Sequence, residues 1–322
     1  MVRGAGTLLV LGASGVIGQS LLANVACSTH RRPSSRVVQL RRRCDTDIYD
    51  IAVQGDIDLS APAALKPWLD AQTDAVIFLA GVSASNVKND RVSSLAIHVQ
   101  SFLELLDWAL RRTSPPRIIY ASSTAVRPQG GDLSPYAVQK QAAEEALLAS
   151  NIAGGFALRF PTVIPRRNES ESTSGFLNTA LSCVLAKKPY TWPIDLERRI
   201  RLMSSKAAAC HLLSALRAPV ESTALTLDLP ATVATPTDIC NASQAPNHSR
   251  GMSINNEIDD LLARRNVDVS CEQAMKLGFI AGESITDFLR SISEDLARRV
   301  EGTSTELNPT NPCLDSNESE RS

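Results

Sequence analysis

A doubly wound α/β fold, with a parallel sheet, helices on both faces and a small C-terminal subdomain, is predicted by three observations. The first half of the chain alternates short apolar runs with longer stretches of helical periodicity. The first apolar run ends in a spaced set of glycines. The chain has 322 residues, 43% apolar and 21% charged, which suits one large domain, or one domain with a smaller cap, and a sizeable core. Strand, helix, strand, helix in succession implies parallel strands joined by helical crossovers.

The elements follow in order. Residues 7–11 (TLLVL) form a continuous apolar run read as a buried strand, and residues 16–27 have helical character. Residues 36–40 and 75–79 read as the next strands. Residues 91–112 read as a long helix with Leu95, Val99, Phe102, Leu103, Leu106 and Leu110 on one side, ended by Pro115-Pro116. Residues 117–121 are a strand, 135–150 a helix and 155–159 a strand. Beyond residue 160 the rhythm loosens. Residues 166–174 read as a polar loop, 176–187 and 204–217 as helices and 225–229 as a strand. Residues 231–256, rich in Thr, Asn, Ser and Pro, are expected to be a mobile connection, and 283–300 an amphipathic helix. The expected division is 1–160 for the first domain, 161–300 for a region partly returning to its core, and 301–322 for a disordered tail.

Composition excludes several classes. A net charge of -1 leaves no electrostatic footprint for nucleic acid or an anionic membrane. With 4% aromatic residues a base-stacking surface is not expected. Seven cysteines at irregular spacing, without C-x-x-C, argue against a disulfide framework or a metal site and for free thiols in a reducing, cytoplasmic setting. The apolar stretch after Arg3 resembles a secretory leader, but Gly12, Gly15 and Gly18 interrupt it. No run approaches the ~20 apolar residues of a membrane helix.

Those glycines carry chemistry. Gly12-Ala13-Ser14-Gly15-Val16-Ile17-Gly18 follows a strand and opens a helix. One glycine makes the tight turn, one lets the backbone approach a pyrophosphate, and one lets the helix pack on the sheet. The spacing is G-x-x-G-x-x-G; a glycine turn without a ligand is the alternative. Gly12, Ser14, Gly15, Val16 and Ile17 are thus candidate dinucleotide-binding residues. In NAD binders an acidic residue about 20 positions past this loop holds the ribose 2′-OH. Here Arg41 stands there, followed by Arg42 and Arg43. Guanidinium groups suit a 2′-phosphate, so NADP is favoured over NAD, a solvated basic loop being the alternative.

Tyr136 and Lys140 lie four apart at the start of a predicted helix, on one face. A free phenol has a pKa near ~10; a nearby ammonium favours the phenolate and makes the pair a candidate general acid/base. Ser122-Ser123-Thr124 follows a strand at the carboxyl edge, where open α/β sheets bind ligands. A hydroxyl there can donate to a carbonyl or alkoxide oxygen; turn chemistry is the alternative.

Together these motifs resemble the extended short-chain dehydrogenase/reductase family, which has a Rossmann fold and includes the nucleotide-sugar epimerases and dehydratases. The matching segments are GASGVIG, Gly55-Asp56-Ile57, Phe78-Leu79-Ala80-Gly81, Ser122-Ser123-Thr124-Ala125-Val126 and YAVQK, within residues 5–300. The resemblance implies that Asp56 and Ile57 lie at the adenine, that Leu79, Ala80 and Gly81 run along the cofactor, and that Pro161 and Val163 touch it. It implies Ser123 rather than Ser122 as the catalytic hydroxyl, beside Tyr136 and Lys140. LRFPTV, WPI and MSSKA in the second half are similar to the D-erythronate dehydrogenase-like branch, which oxidises a secondary hydroxyl of a small sugar acid.

Three departures stand out. His98 occupies the place of a usual Asn that supports a proton relay, where it either substitutes in the relay or packs. Arg127-Pro128 replaces a Tyr-Gly at the substrate rim. The loop after Val163 is shorter and more basic; Arg166 and Asn168, with Thr124, are candidate substrate contacts. The expected function is hydride transfer between NADP, or alternatively NAD, and a secondary alcohol or ketone of a small polar molecule. An epimerase or dehydratase without net redox change and a non-enzymatic NADP sensor are the alternatives. A homodimer through residues 91–112 and 135–150, common in the family, is expected.

Overall fold

The computed structural model describes residues 7–27, 36–41, 53–71, 73–127, 133–164, 175–245, 249–250, 255, 258–259, 262 and 269–304. Its centre is a seven-stranded sheet ordered β10-β6-β5-β4-β1-β2-β3. The strands are β1 (Thr7–Leu11), β2 (Arg36–Arg41), β3 (Val53–Asp56), β4 (Thr73–Phe78), β5 (Arg117–Ser123), β6 (Phe156–Phe160) and β10 (Leu225–Asp228). Every neighbouring pair in this sheet is parallel. The chain moves outward from β1 to β3, crosses back, and moves outward the other way from β4. The order therefore reverses between β1 and β4, and a crevice opens at their carboxyl ends.

Apolar runs in β1, β4, β5 and β6 are buried on both faces, as a parallel sheet requires. One face packs Val10, Ile77, Ile119 and Leu158 against α1 (Val16–Cys27) and α7 (Ser205–Arg217). The other packs Leu9, Phe78, Ile118 and Tyr120 against α4 (Ser101–Leu110) and α5 (Pro135–Ala149). A third cluster lies in the C-terminal half, around Trp192, Ile200, Leu202 and Phe288. There β7 (Thr162–Ile164), β9 (Ile200–Ser204) and β11 (Thr232–Ala234) form a second sheet, and β8 (Thr191–Trp192) pairs with β12 (Ser249–Arg250). Among the described residues no helix is long and apolar enough to cross a membrane.

Three segments differ from the sequence reading. Residues 91–112 are not one regular helix: α2 (Ala84–Asn89) precedes α3 (Arg91–Leu95), then a π-turn over Ala96–Gln100 leads into α4. The π-turn breaks the 3.6-residue period. Phe102, Leu105, Leu106 and Ala109 face the sheet, while Leu95, Leu103 and Leu110 are exposed. Residues 231–256, expected to be mobile, contain β11 and α8 (Pro236–Ser243). Thr235 and Asp238 cap α8 reciprocally, and Pro236 starts it, so its polar composition is that of a helix N-terminus. The terminal helix spans Ile285–Ser304, four residues into the expected tail.

Candidate active site

The crevice holds a cavity of about 370 Å³. Its floor at one end is the glycine turn. Gly12 follows β1 with φ +86°, and a Cβ there would lie 2.6 Å from the amide nitrogen of Ala80. Both the left-handed backbone and the close approach of the β4 extension demand glycine. A Cβ on Gly18 would lie 2.6 Å from Ala13, so this glycine lets α1 pack onto its own entry turn. Gly12, Gly15, Val16 and Ile17 line the cavity, and the amino end of α1 opens there. A glycine turn feeding a helix N-terminus at a topological switch point fits a pyrophosphate.

At the other end are Tyr136, Lys140, Ser122 and Ser123. Ser134 caps α5, accepting from the Ala137 amide at 3.3 Å, and Pro135 occupies the first turn. That start places Tyr136 and Lys140 one turn apart, facing the end of β5. The Lys140 side chain is buried and its Nζ donates to the Ala121 carbonyl at 2.9 Å. It stands 4.9 Å from the Tyr120 ring centroid and 6.0 Å from that of Tyr136. Burial pulls the ammonium down to about 8, opposed by the Glu144 carboxylate one turn further along α5. Ser123 accepts from the Ala125 amide at 3.2 Å, which caps a 3₁₀ turn over Thr124–Val126 and leaves its O–H to donate. The Ser122 hydroxyl is buried with no hydrogen-bond partner.

Leu79, Gly81, Pro161 and Val163 also line this cavity. Ser14 belongs to the glycine turn but is not among the lining residues, and Ala80 lies between Leu79 and Gly81, half-buried against the core. Ile57 packs on the same core just past β3. Arg41 and Asp56 end β2 and β3 as register partners; their side chains lie outside the described residues. Arg166 and Asn168 lie outside the described residues altogether. Thr124 is 7% exposed inside the 3₁₀ turn and is not among the residues lining the cavity. Arg127 pairs with Asp228 at 3.0 Å and is likewise not a lining residue.

Sequence reasoning did not select Ser122, Val82, Ser83 or Phe160, all of which line the cavity. Val82 and Ser83 directly follow the Phe78–Gly81 motif and Phe160 precedes Pro161, so adjacency to those motifs was the available signal.

A family model described as "NAD dependent epimerase/dehydratase family" matches residues 8–224. A D-erythronate dehydrogenase of Cupriavidus necator is 27% identical over 273 residues, covering 74% of this chain and 80% of that protein. Among solved structures, a nucleoside-diphosphate-sugar epimerase from Agrobacterium tumefaciens superposes with a TM-score of 0.79 at 20% identity, covering 91% of this chain and 95% of the other. MoeE5 in complex with UDP-glucuronic acid and NAD gives 0.69 at 21% identity, covering 91% and 100%. At these identities the structural likeness establishes the fold.

Proposed function

The chain belongs to the NAD dependent epimerase/dehydratase family, and from that premise we propose that it is a dehydrogenase transferring a hydride between NADP and a secondary alcohol or ketone of a small polar substrate such as a sugar acid. The observation that carries the reading is one cavity joining the glycine turn to Tyr136, Lys140 and Ser123. Residues 1–160 hold the dinucleotide in this reading, and residues 161–300 supply most of the substrate region.

When bound, the nicotinamide ring accepts or gives up the hydride. The protein supplies position and proton handling. Tyr136 takes the hydroxyl proton in oxidation and returns it in reduction. Positive charge favours its phenolate, and two sources stand beside it: the Lys140 ammonium and the amino end of α5. Lys140, fixed by the Ala121 carbonyl, has further N–H donors to hold the nicotinamide ribose. Ser123 donates to the substrate oxygen as charge develops there. Val16, Ile17, Phe160 and Val163 give the cavity part of an apolar lining.

NADP preference is supported by Arg41 at the carboxyl end of β2, the strand paired with β1, with Arg42 and Arg43 following. Arg166 and Asn168 are proposed substrate contacts for an anionic group. The exposed apolar residues Leu95, Leu103 and Leu110, with Val138 and Leu148 of α5, support a homodimer. Cys183, Cys210, Cys240 and Cys271 are free thiols, which suits a reducing cytoplasm.

The test is incubation with NADP or NAD and a panel of sugar acids, polyols and hydroxy acids, following reduced-nicotinamide absorbance. Net reduction supports a dehydrogenase; product formation with no net absorbance change indicates an epimerase or dehydratase instead. Tyr136→Phe is expected to keep cofactor affinity and lose about 10²–10⁴-fold in turnover. A near-wild-type rate in that variant overturns the assignment. Arg41→Asp is expected to shift the kcat/KM ratio toward NAD.

A further inference from the structure

His98 is fully buried in the π-turn between α3 and α4, 16 residues from Val82 and 41 from Gln139 in sequence, and joins both. Its Nε2 accepts from the Val82 amide at 2.9 Å, so that nitrogen carries no proton. Its Nδ1 therefore bears the hydrogen and donates to Gln139 Oε1 at 2.8 Å. The amide of Gln139 donates onward to Ser94 Oγ at 3.0 Å, and Ser94 donates to the Arg91 carbonyl at 3.0 Å. Every link runs in one direction, and both ends are backbone groups.

We propose that His98 is a positioning residue that holds the Gly81–Val82 edge of the cofactor cavity against the start of α5, and that it carries no proton during turnover. The proposal rests on the dinucleotide-binding reading above. A proton relay needs members that exchange donor and acceptor roles and an end open to substrate or solvent. Here the cavity end is a peptide N–H and the far end a peptide C=O, and neither releases or takes up a proton under ordinary conditions. The charged form of the ring would break the Val82 bond and place a second cation near the Lys140 ammonium; burial and that ammonium pull His98 down to about 3. The Val82 bond requires the neutral ring.

What the ring does is mechanical. A Cβ on Gly81 would lie 2.9 Å from His98 Nε2 and 3.5 Å from Lys140 Nζ, so the loop backbone lies against both side chains. The imidazole meets the Tyr136 ring edge-on, with centroids 5.6 Å apart. Gln139 immediately precedes Lys140 on α5. One imidazole therefore ties the cavity loop, the π-turn and the helix bearing the acid/base pair. The extra residue of the π-turn accompanies the inward-pointing ring of His98, on a helical stretch that also buries Ser94 and Ser101.

The test uses the full chain with His98→Phe, His98→Gln and Gln139→Leu. His98→Phe keeps a ring and loses both hydrogen bonds; the Gln amide can accept from Val82 again. NADPH affinity is read by fluorescence titration, the chemical step by single turnover at saturating cofactor, and the pH profile of kcat across mildly acid to alkaline buffers. Expected are a cofactor dissociation constant raised about tenfold or more in His98→Phe, largely restored in His98→Gln, and intermediate in Gln139→Leu. The single-turnover rate stays within about threefold of wild type and the pH profile is unchanged. Wild-type affinity in His98→Phe overturns the proposal. So does a collapse of the chemical step that added imidazole restores, or the loss of an ionisation from the profile. Should His98→Phe not fold, Gln139→Leu, which keeps the imidazole, decides the same question by its cofactor affinity. Failure of the wild-type protein to bind NADPH or NADH is a different result, and it removes the dinucleotide-binding reading itself.

Discussion

Gly12 shows how much one missing side chain decides. Its φ of +86° is a region where an L side chain is strained, and the space for a Cβ is filled by the peptide joining Leu79 to Ala80. Backbone cannot move aside as a flexible side chain can. Gly12→Ala is therefore expected to destabilise the fold by about 2–4 kcal/mol and to weaken dinucleotide binding, read from urea midpoints and a cofactor titration. Gly15 is different: a Cβ there would lie 3.3 Å from the Gly12 carbonyl oxygen and φ is ordinary. Gly15→Ala should fold nearly as well as wild type and lose cofactor affinity through crowding of the turn.

Helix α5 is the element on which the site depends, and it buries polar side chains among apolar ones. Gln139, Lys140 and Glu144 are buried beside Ala137, Ala143 and Leu147, while Val138 and Leu148 are exposed. Each buried polar group has a defined partner. Glu144 is 2% exposed at its side chain and is clasped by Arg159 of β6, whose Nε and Nη2 donate at 2.9 and 2.6 Å. Arg159 also faces Asp228 of β10 at 3.6 Å, which Arg127 meets from outside. Burial pushes the Asp228 carboxyl up although three arginines oppose it. Arg159→Leu would leave two buried carboxylates without this cation, and a loss of about 3–5 kcal/mol is expected in urea unfolding. The double replacement Glu144→Met/Arg159→Leu should recover most of it, because the cost lies in an unpaired buried charge. At the periphery, Thr235→Ala removes the side-chain half of the α8 capping box and should cost about 1 kcal/mol.

For the whole molecule, the buried histidines set an acid limit. His98 is held down to about 3 and His211, stacked on Phe279, to about 4, burial being the main cause for each. A histidine in the unfolded chain takes a proton near pH ~6.5, and these folded ones refuse it. Their contribution is therefore fully present above about pH 6.5 and is lost as pH falls toward the folded values. The slope is about 1.4 kcal/mol per pH unit for each histidine, so on the order of 2 kcal/mol apiece is gone by about pH 5. Urea midpoints measured from neutral to acid pH check this. His211→Phe, which keeps the ring beside Phe279, should halve the acid slope without altering cofactor affinity.

By itself the sequence determined whatever is encoded locally. The alternation of apolar runs and helical stretches specified a parallel sheet covered by helices on both faces, because parallel strands need helical crossovers to connect them. The glycine turn was legible because its three glycines, the strand before and the helix after lie within one short segment. Tyr136 and Lys140 were legible because a helical turn converts a spacing of four into one face. Tertiary structure alone decided the rest. That Leu103 and Leu110 face outward followed from a π-turn no periodicity announces. The burial of Glu144 depended on Arg159, brought to it by another element, β6. The chemical form of His98 depended on a peptide N–H from one loop and an amide oxygen from another helix. The reason is common to all three. Periodicity and turn chemistry act over a few residues and are written in the order of the chain, whereas the desolvation and pairing of a buried polar group depend on atoms that become neighbours only when the sheet has assembled.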